Sequence, residues 1–225
     1  QAQWPLIAGQ RVVGWKIAAT SEAGQKHINV SGPLAGRILS SFVVDEGAAV
    51  SLAGNRMHVV EPEFAFSIGR DLPPREAPYT VAEVLDAVAS LHPAFEVPDS
   101  RYAVFTRVGQ AQLIADDACC GPFLFGRAAP ASWRDLGLSE HRVQATVSNR
   151  EGVRFTREGA GRAALGDPRT ALTWLVNELS SLGLTLEVGQ FVSTGTCMVP
   201  LEVEPGDAVH ADFGVLGALA LRLTA

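Results

Sequence analysis

The sequence predicts an α+β fold in which short β-strands dominate and two helices lie among them. Runs of Val, Ile, Leu and Phe recur along the 225 residues and are separated by turns rich in Gly, Pro, Asn and Asp. Only two segments combine helical spacing with capping signals. The chain is 47% hydrophobic and 19% charged, so it can bury a sizeable core and does not have the composition of a disordered chain.

The first third of the chain predicts three extended segments. Residues 12–18 and 57–69 are rich in Val, Ile and Phe, and the second of them is the clearest strand. Residues 37–44 return to extended structure before the Asp-Glu-Gly turn at 45–47.

A first helix is predicted to begin after Thr80. Glu83, three residues later, completes a capping-box pattern. The apolar residues at helical spacing are Val81, Val84, Leu85 and Val88. The His92-Pro93 pair is expected to end this helix, and residues 94–97 to begin another strand.

The second half predicts a hairpin and a longer helix. Residues 141–156 alternate in polarity around the Asn-Arg-Glu-Gly turn, which is typical of a hairpin. The second helix covers residues 168–182, with Asp167 as N-cap and Gly183 just past its end. Further strands are predicted at 190–193, 208–213 and 218–223.

Composition excludes several classes of protein. The net charge of −6 and the lack of Lys or Arg clusters argue against nucleic-acid binding. No apolar run reaches the roughly 18 residues that a membrane span needs. Nucleophile-elbow, P-loop and dinucleotide-binding motifs are absent. The three cysteines (Cys119, Cys120 and Cys197) form neither a disulfide framework nor a zinc pattern, which favours a reducing, cytoplasmic setting.

Two glutamates flank a proline inside the clearest strand. Alternation places Glu61 and Glu63 on the same face, where their charges repel unless a cation lies between them. Paired carboxylates suit a hard ion such as Mg²⁺ or Mn²⁺. The alternative is the solvated face of an edge strand, which Pro62 would permit. His58 has the opposite parity and is not expected to be a ligand.

Two further charged residues occur in apolar surroundings. Glu96 is predicted to be either buried and paired or directed into a site. Lys16, the one charge of its strand, either extends to solvent or places a cation beside an acidic site. Asp99 and Arg101 are expected to form a local salt bridge at the end of a strand.

A glycine-containing segment at residues 193–197 has hydroxyl groups and an accessible backbone that a ligand's oxygens could use. The segment by itself is more typical of an ordinary turn, and both interpretations stay open at this point.

Taken together, these segments resemble the fumarylacetoacetate hydrolase superfamily, and more closely its 2-oxopent-4-enoate hydratase / 4-oxalocrotonate decarboxylase branch. They occur in the family's order and cover nearly the whole chain. The matching stretches are Gly14-Trp15-Lys16-Ile17-Ala18-Ala19-Thr20, Glu61-Pro62-Glu63-Phe64-Ala65-Phe66 with Gly69-Arg70-Asp71-Leu72, residues 93–101, Ile114-Ala115-Asp116-Asp117-Ala118, and residues 201–216.

The resemblance implies a mixed β-roll of the fumarylacetoacetate hydrolase C-terminal domain type, with one active site per subunit and a homo-oligomeric assembly. It implies a divalent ion, Mg²⁺ or Mn²⁺. The implied site residues are Glu61, Glu63 and Glu96 as metal ligands, Lys16 and more weakly Asp116 as catalytic groups, and Thr194, Gly195 and Thr196 as substrate-binding residues. Members of this branch begin with a further helical segment, so residues 1–225 are expected to form a single catalytic domain whose start is shortened.

The activity implied is hydration of a 2-hydroxy-2,4-dienoate to a 4-hydroxy-2-oxo acid, with a small 2-oxo acid as substrate and no nucleic-acid or membrane partner. The alternatives are decarboxylation of a 2-oxo-3-enedioate, hydrolysis of a β-diketone acid with help from His27, and a catalytically silent partner subunit. Ser40 and Ser41 stand where hydratases carry acidic residues. If that acid transfers protons, hydration is disfavoured and the odds of decarboxylation rise.

Overall fold

The computed structural model describes residues 1–3, 5–6 and 9–225. The helices are α1 (Glu22–His27), α2 (Val81–Asp86), α3 (Gln110–Ala115) and α4 (Pro168–Ser181). The strands are β1 (Val12–Ala18), β2 (Leu34–Leu39), β3 (Val43–Val44), β4 (Ala49–Ser51), β5 (Val59–Ile68), β6 (Val88–Glu96), β7 (Phe123–Phe125), β8 (Arg142–Asn149), β9 (Gly152–Ala160), β10 (Phe191–Thr196), β11 (Leu201–Glu202), β12 (Ala208–Asp212) and β13 (Ala218–Thr224).

Two mixed sheets make up the fold. The larger has the order β2-β1-β10-β5-β6-β7-β3, with β11 added beside β5. Its β1–β10 and β3–β7 pairs are parallel and its other pairs are antiparallel. The smaller sheet has the order β4-β13-β12-β8-β9. The strand-dominated α+β class predicted from the sequence is confirmed.

One apolar cluster joins the two sheets and the long helix. Phe64 and Phe66 of β5 lie within it beside Leu172 of α4 and Val209 of β12, all fully buried. Phe66 meets Trp133 edge-to-face at 5.7 Å. The core therefore holds β5, which carries the two glutamates, at the centre of the molecule. None of the described helices is long and apolar enough to cross a membrane.

The long helix begins and ends where its cap residues predict. The Asp167 carboxylate accepts from the backbone N–H of Arg169 at 2.8 Å, and Pro168 occupies the first helical position. Leu172, Leu175, Val176 and Leu179 all lie on its buried side. The predicted hairpin is also confirmed as β8 and β9.

The segment after the first capping box differs from expectation. The Thr80–Glu83 box is present, but α2 ends at Asp86, and β6 runs through the His92-Pro93 pair that was expected to end the helix. The helical spacing of apolar residues predicted that Val88 belongs to α2. Val88 is instead buried at the start of β6, and this burial outweighs the local spacing.

Pro93 is tolerated inside β6 because the side chain of His92 supplies the hydrogen-bond donor that a proline backbone lacks. Pro93 accepts from the N–H of Gly126 at 2.8 Å but cannot donate in return. The ring Nδ1 of His92 donates to the Gly126 carbonyl instead, also at 2.8 Å. Ser90 contacts the other ring nitrogen at 2.8 Å and so orients the imidazole.

The extended segment at residues 37–44 is also interrupted. Strand β2 ends at Leu39, a 3₁₀ turn covers residues 40–42, and β3 follows with only two residues.

Candidate metal centre and active site

Three glutamates meet on the neighbouring strands β5 and β6. Glu61 lies directly opposite Glu96 in the antiparallel register, and Glu63 lies two residues further along the same face. One carboxylate oxygen from each comes within 4.8 Å of the others. The edge-strand interpretation of Glu61 and Glu63 is wrong, because β5 is paired on both sides.

An irregularity in β10 allows Pro62 to occupy the interior of the neighbouring strand β5. The β10–β5 register shifts between Ser193 and Thr196, so the ladder is interrupted beside Pro62. The Pro62 carbonyl accepts from the N–H of Cys197 at 2.9 Å. The Gly195 N–H, which the interruption leaves outside the ladder, donates to Glu63 Oε2 at 2.9 Å, and the Ser193 hydroxyl donates to the same oxygen at 2.5 Å.

Two of the other carboxylate oxygens have no hydrogen-bond donor among the described residues. Glu63 Oε1 and Glu96 Oε2 are buried and accept no hydrogen bond. A buried carboxylate oxygen without a donor is costly unless a cation faces it. The three side chains offer only carboxylate oxygens as metal ligands, and a hard divalent ion prefers such ligands. The residues therefore fit a divalent ion held by Glu61, Glu63 and Glu96.

A lysine completes the charge balance. Lys16 of β1 is 2% exposed, and its ammonium group lies 3.1 Å from Glu96 Oε1. It does not extend to solvent. Three carboxylates and one ammonium leave two negative charges, which is the charge that a divalent ion neutralises.

Burial and mutual repulsion perturb these groups. Burial raises the pKa of Glu63 to about 7, with the charge of Glu61 adding to the effect and the Ser193 hydrogen bond opposing it. Burial also raises the pKa of Glu61 and, much more strongly, that of Glu96. For Lys16, burial alone would lower the pKa, but the adjacent carboxylates, Glu96 foremost, hold it above its ordinary value.

The lysine is anchored by an unusual turn. Its Nζ donates to the Ala118 carbonyl at 2.9 Å. Residues 117–119 have φ angles of 57°, 55° and 60°, so three consecutive non-glycine residues are left-handed. The turn packs closely on Gly36, where a Cβ atom would lie 2.5 Å from the Asp117 carbonyl oxygen.

Asp116, which was expected to be a proton-transfer group, supports this turn from outside the cavity. Its carboxylate accepts from Ser100 Oγ at 2.5 Å and from Arg101 Nε at 2.6 Å. The expected pairing of Arg101 with Asp99 is replaced by this one, and the Asp99 carboxylate accepts from the N–H of Arg56 at 2.7 Å.

A cavity of about 900 Å³ opens beside Lys16 and Glu61. Of the expected substrate-binding residues, Thr196 lines this cavity. Thr194 is buried, and its hydroxyl donates to the Phe64 carbonyl at 2.8 Å. The Gly195 N–H donates to the Glu63 carboxylate.

Other cavity residues were not found by sequence reasoning. They are Arg142, Glu158, Arg162 and Met198, among others. No local motif marks them, because the register of the β8–β9 hairpin and the course of the chain after β10 bring them there. The three cysteines are free and buried.

Three residues on which competing functions depended can now be placed. Ser40 donates to Gln10 Oε1 at 2.7 Å, and neither it nor Ser41 lines the cavity. The two serines on which the preference for decarboxylation depended therefore lie outside the cavity. His27 lines the cavity and contacts Phe105 edge-to-face at 6.1 Å.

Fold and site together define a mixed-sheet protein in which three clustered glutamates lie beside a buried lysine. The chain belongs to the fumarylacetoacetate (FAA) hydrolase C-terminal family, which it matches over residues 24–224. The resemblance inferred from the sequence is confirmed.

Named relatives have related activities. The chain is 32% identical over 214 residues to a 2-keto-4-pentenoate hydratase of Paraburkholderia xenovorans, covering 95% of this chain and 77% of the relative. It is also 32% identical over 221 residues to a 4-oxalocrotonate decarboxylase of a Pseudomonas species, covering 96% and 80%. Among solved structures, a 4-oxalocrotonate decarboxylase from Pseudomonas putida G7, complexed with magnesium and adipate, superposes with a TM-score of 0.81 at 26% identity, covering 99% of this chain and 81% of that one.

Proposed function

We propose that this protein is a divalent-metal-dependent lyase that hydrates 2-hydroxy-2,4-dienoates to 4-hydroxy-2-oxo acids. The observation that carries the proposal is the cluster of three glutamates beside the lysine at the cavity wall, in which Glu63 and Glu96 are buried and have oxygens that lack donors. The hydratase named among its relatives, which the chain matches over 95% of its own length, supports the same chemistry.

The three glutamates would hold Mg²⁺ or Mn²⁺. The relevant decarboxylase structure contains magnesium, and an all-carboxylate donor set suits either ion. When bound, the ion supplies Lewis-acid stabilisation of the negative charge that develops on the substrate's 2-oxygen. Glu63 is oriented for this task because Ser193 and Gly195 hold its other oxygen.

Lys16 would act on the substrate directly. Its ammonium is fixed by Glu96 and the Ala118 carbonyl, and it still lines the cavity. One remaining N–H can hold the substrate carboxylate or transfer a proton to the dienolate carbon. The Thr196 hydroxyl, which lies on the same wall and donates to the Met198 carbonyl at 2.9 Å, would turn from that acceptor to contact the substrate's oxygens. Asp116 is a positioning residue that supports the turn carrying Ala118.

Decarboxylation of a 2-oxo-3-enedioate is the second candidate. It needs the same stabilised dienolate, and the decarboxylase structure superposes on 99% of this chain. The Ser40 and Ser41 positions no longer favour it over hydration, because neither lines the cavity. Hydrolysis of a β-diketone acid is less well supported, since no carboxylate of the described residues forms an ion pair with His27.

The remaining features of the proposal concern the whole chain. We take residues 1–225 as one catalytic domain that works in a homo-oligomer in the cytoplasm. Three buried free thiols are compatible with a reducing compartment.

The test follows the loss of ultraviolet absorbance of 2-hydroxypenta-2,4-dienoate after addition of Mg²⁺ or Mn²⁺. We expect activity that EDTA abolishes, and that Glu63→Gln and Lys16→Met each reduce at least a hundredfold. Glu158→Gln, at the rim of the same cavity, is the control and is expected to retain most activity. Inactivity of the metal-loaded protein on dienoates, together with turnover of an enedioate, would replace hydration by decarboxylation, whereas inactivity on both would overturn the proposed enzyme.

A further inference from the structure

One hydroxyl group on the cavity wall is left without a partner in the described part of the chain. Three hydroxyl side chains line the cavity there: Thr20, Ser21 and Thr196. Ser21 accepts from the N–H of Gly24 at 3.1 Å, and Thr196 donates to the Met198 carbonyl. The Thr20 hydroxyl forms no hydrogen bond with any described residue, although Thr20 is only 6% exposed. A polar group buried to this extent is costly unless a ligand or a water molecule contacts it.

The backbone that carries Thr20 is fixed in an unfavourable conformation. Ala19 has a φ angle of 57°, which is left-handed. Gln25 Nε2 donates to the Ala19 carbonyl at 3.1 Å, and the N–H of Leu165 donates to the Thr20 carbonyl at 3.1 Å. Leu165 is itself left-handed, with a φ angle of 50°. Strained residues of this kind occur mostly at catalytic and ligand-binding sites, because surrounding contacts must hold them in place.

Thr20 lies against the part of β10 that orients Glu63. A Cβ atom on Gly195 would come 2.5 Å from Thr20 Oγ1, and the Gly195 N–H donates to Glu63 Oε2 at 2.9 Å. Standard bond lengths then place the Thr20 oxygen within roughly 8 to 9 Å of that carboxylate oxygen. An extended acid of five carbons is about 5 Å long, so it can span this gap with a polar contact at each end.

The surroundings of Thr20 favour an uncharged oxygen as its ligand. The cavity residues that precede it are Ile17, Ala18 and Ala19, which have no polar side-chain atoms. The Lys16 ammonium is the group that suits the substrate's carboxylate. A hydroxyl group donates one hydrogen bond and accepts two, so it can hold either a water molecule or an alcohol.

We propose that the Thr20 hydroxyl binds the water molecule that adds to C4 of the substrate, and then the 4-hydroxyl group of the product. This inference rests on the proposed function, because it takes the substrate's carboxylate end to lie at the glutamates and Lys16. The water oxygen bonds to C4, and the C3–C4 π electrons move toward the 2-oxo group. C3 takes up one proton and the water releases one, both exchanged with solvent, so the net change is the addition of one water. Thr20 therefore serves hydration and not the earlier ketonisation of the dienoate.

The first test separates these two stages by proton NMR of the Mg²⁺-loaded protein acting on 2-hydroxypenta-2,4-dienoate. Thr20→Val keeps the branched shape and removes the hydroxyl. We expect it to form 2-oxopent-3-enoate at a rate within about threefold of the unmodified protein, while hydration falls at least about thirtyfold and the enoate accumulates. Thr20→Ser, which retains a hydroxyl, should hydrate within about fivefold of the unmodified protein. An equal loss of both stages in Thr20→Val, or an unchanged rate of hydration, would overturn the inference.

The second test needs no turnover. It compares two unreactive acids that differ only in the 4-hydroxyl group, 2,4-dihydroxypentanoate and 2-hydroxypentanoate, by calorimetric titration of the Mg²⁺-loaded protein. The dihydroxy acid should bind about fivefold more tightly, as one neutral hydrogen bond implies. Thr20→Val should bring this affinity ratio close to one, and Thr20→Ser should keep most of it. Equal binding of the two acids by the unmodified protein, or an unchanged ratio in Thr20→Val, contradicts the assignment.

Thr156→Val is the matched control. Thr156 is exposed on β9 and does not line the cavity, and its hydroxyl contacts that of Thr146 at 3.0 Å. Its replacement makes the same chemical change as Thr20→Val and should leave both the rate of hydration and the affinity ratio as they are.

The outcome for Thr20 is separable from that for the proposed function. Hydration by the unmodified protein that Thr20→Val leaves intact keeps the function and rejects the role of Thr20. A protein that neither ketonises nor hydrates the dienoate rejects the function, and the affinity ratio then decides about Thr20. A ratio that depends on Thr20 keeps it as a contact for the ligand's 4-hydroxyl group, and a ratio that does not rejects it.

Discussion

The three left-handed residues at 117–119 show how a buried charge is supported by its immediate neighbours. Each such non-glycine conformation costs about 1–3 kcal/mol, so the turn persists only because surrounding contacts hold it. The Arg37 N–H donates to the Asp117 carboxylate at 2.8 Å, and Lys16 donates to the Ala118 carbonyl. Backbone strain is stored next to the proposed reacting group, where it fixes the position of the ammonium.

A pH-dependent stability difference is expected at Asp117. Burial raises its pKa from 3.8 to about 6, and the hydrogen bond from Arg37 opposes this only in part. Below pH 3.8 the carboxyl is protonated in both states and carries no penalty. Between pH 3.8 and 6 the unfolded chain loses the proton first, so the stability of the folded protein falls as pH rises.

Asp117→Asn keeps the acceptor oxygen and removes the titration. Its stability relative to the unmodified protein should therefore rise from near zero at pH 4 to at most about 3 kcal/mol at pH 8. Thermal unfolding at the two pH values measures the difference. A difference that does not change with pH would show that this carboxyl is not penalised by burial.

At the scale of one element, the interruption of β10 replaces regular pairing with β5 by hydrogen bonds to Glu63, a proposed metal ligand. Two residues of β10 leave the ladder, and Gly195 turns its N–H toward Glu63. The φ angle of Gly195 is 93°, and a Cβ atom there would lie 2.5 Å from Thr20 Oγ1. Glycine is required here both by the conformation and by the close approach.

Gly195→Ala is expected to be far more damaging than Gly189→Ala. Gly189 also has a positive φ, 83°, but a Cβ atom there would meet nothing within 4 Å. The control should cost only the conformational strain, about 1–2 kcal/mol. Gly195→Ala should cost at least about 3 kcal/mol and weaken Mg²⁺ or Mn²⁺ binding at least tenfold. Chemical denaturation and calorimetry make the comparison, and similar losses in the two variants would contradict the role given to the interruption of β10.

For the whole molecule, a cation held by the three glutamates, as proposed, would link cation binding to folding. A cation that binds only the folded protein adds about 2.7 kcal/mol at one hundred times its dissociation constant. For a chain of this length, each kcal/mol raises Tm by about 2–4 °C, so saturating Mg²⁺ or Mn²⁺ should raise Tm by roughly 5–10 °C.

Glu63→Gln separates this linkage from a general salt effect. In EDTA this variant should melt at or above the temperature of the unmodified protein, because one buried charge and its repulsion with Glu61 are removed. It should gain little from either metal. An equal metal-induced increase in Tm in both proteins would place the cation somewhere other than at the three glutamates.

Much of this molecule follows from local sequence. Three features depend on neighbours that are close in sequence, where periodicity and capping chemistry act. They are the capped helix after Asp167, the β8–β9 hairpin and the shared face of Glu61 and Glu63. The helix-to-strand boundary near Val88 could not be predicted in the same way, because its burial against distant residues overrides local spacing.

The sequence by itself determined the acidic pair, the lysine and the family to which the chain belongs, since these depend on residue identity and order. Only the tertiary structure decided that Glu96 lies opposite Glu61, that Lys16 is buried and held by Ala118, and that Arg142 faces the same cavity. The physical reason is that register between distant strands and the course of interrupted ones are set by packing of the whole core, and no segment contains that information alone.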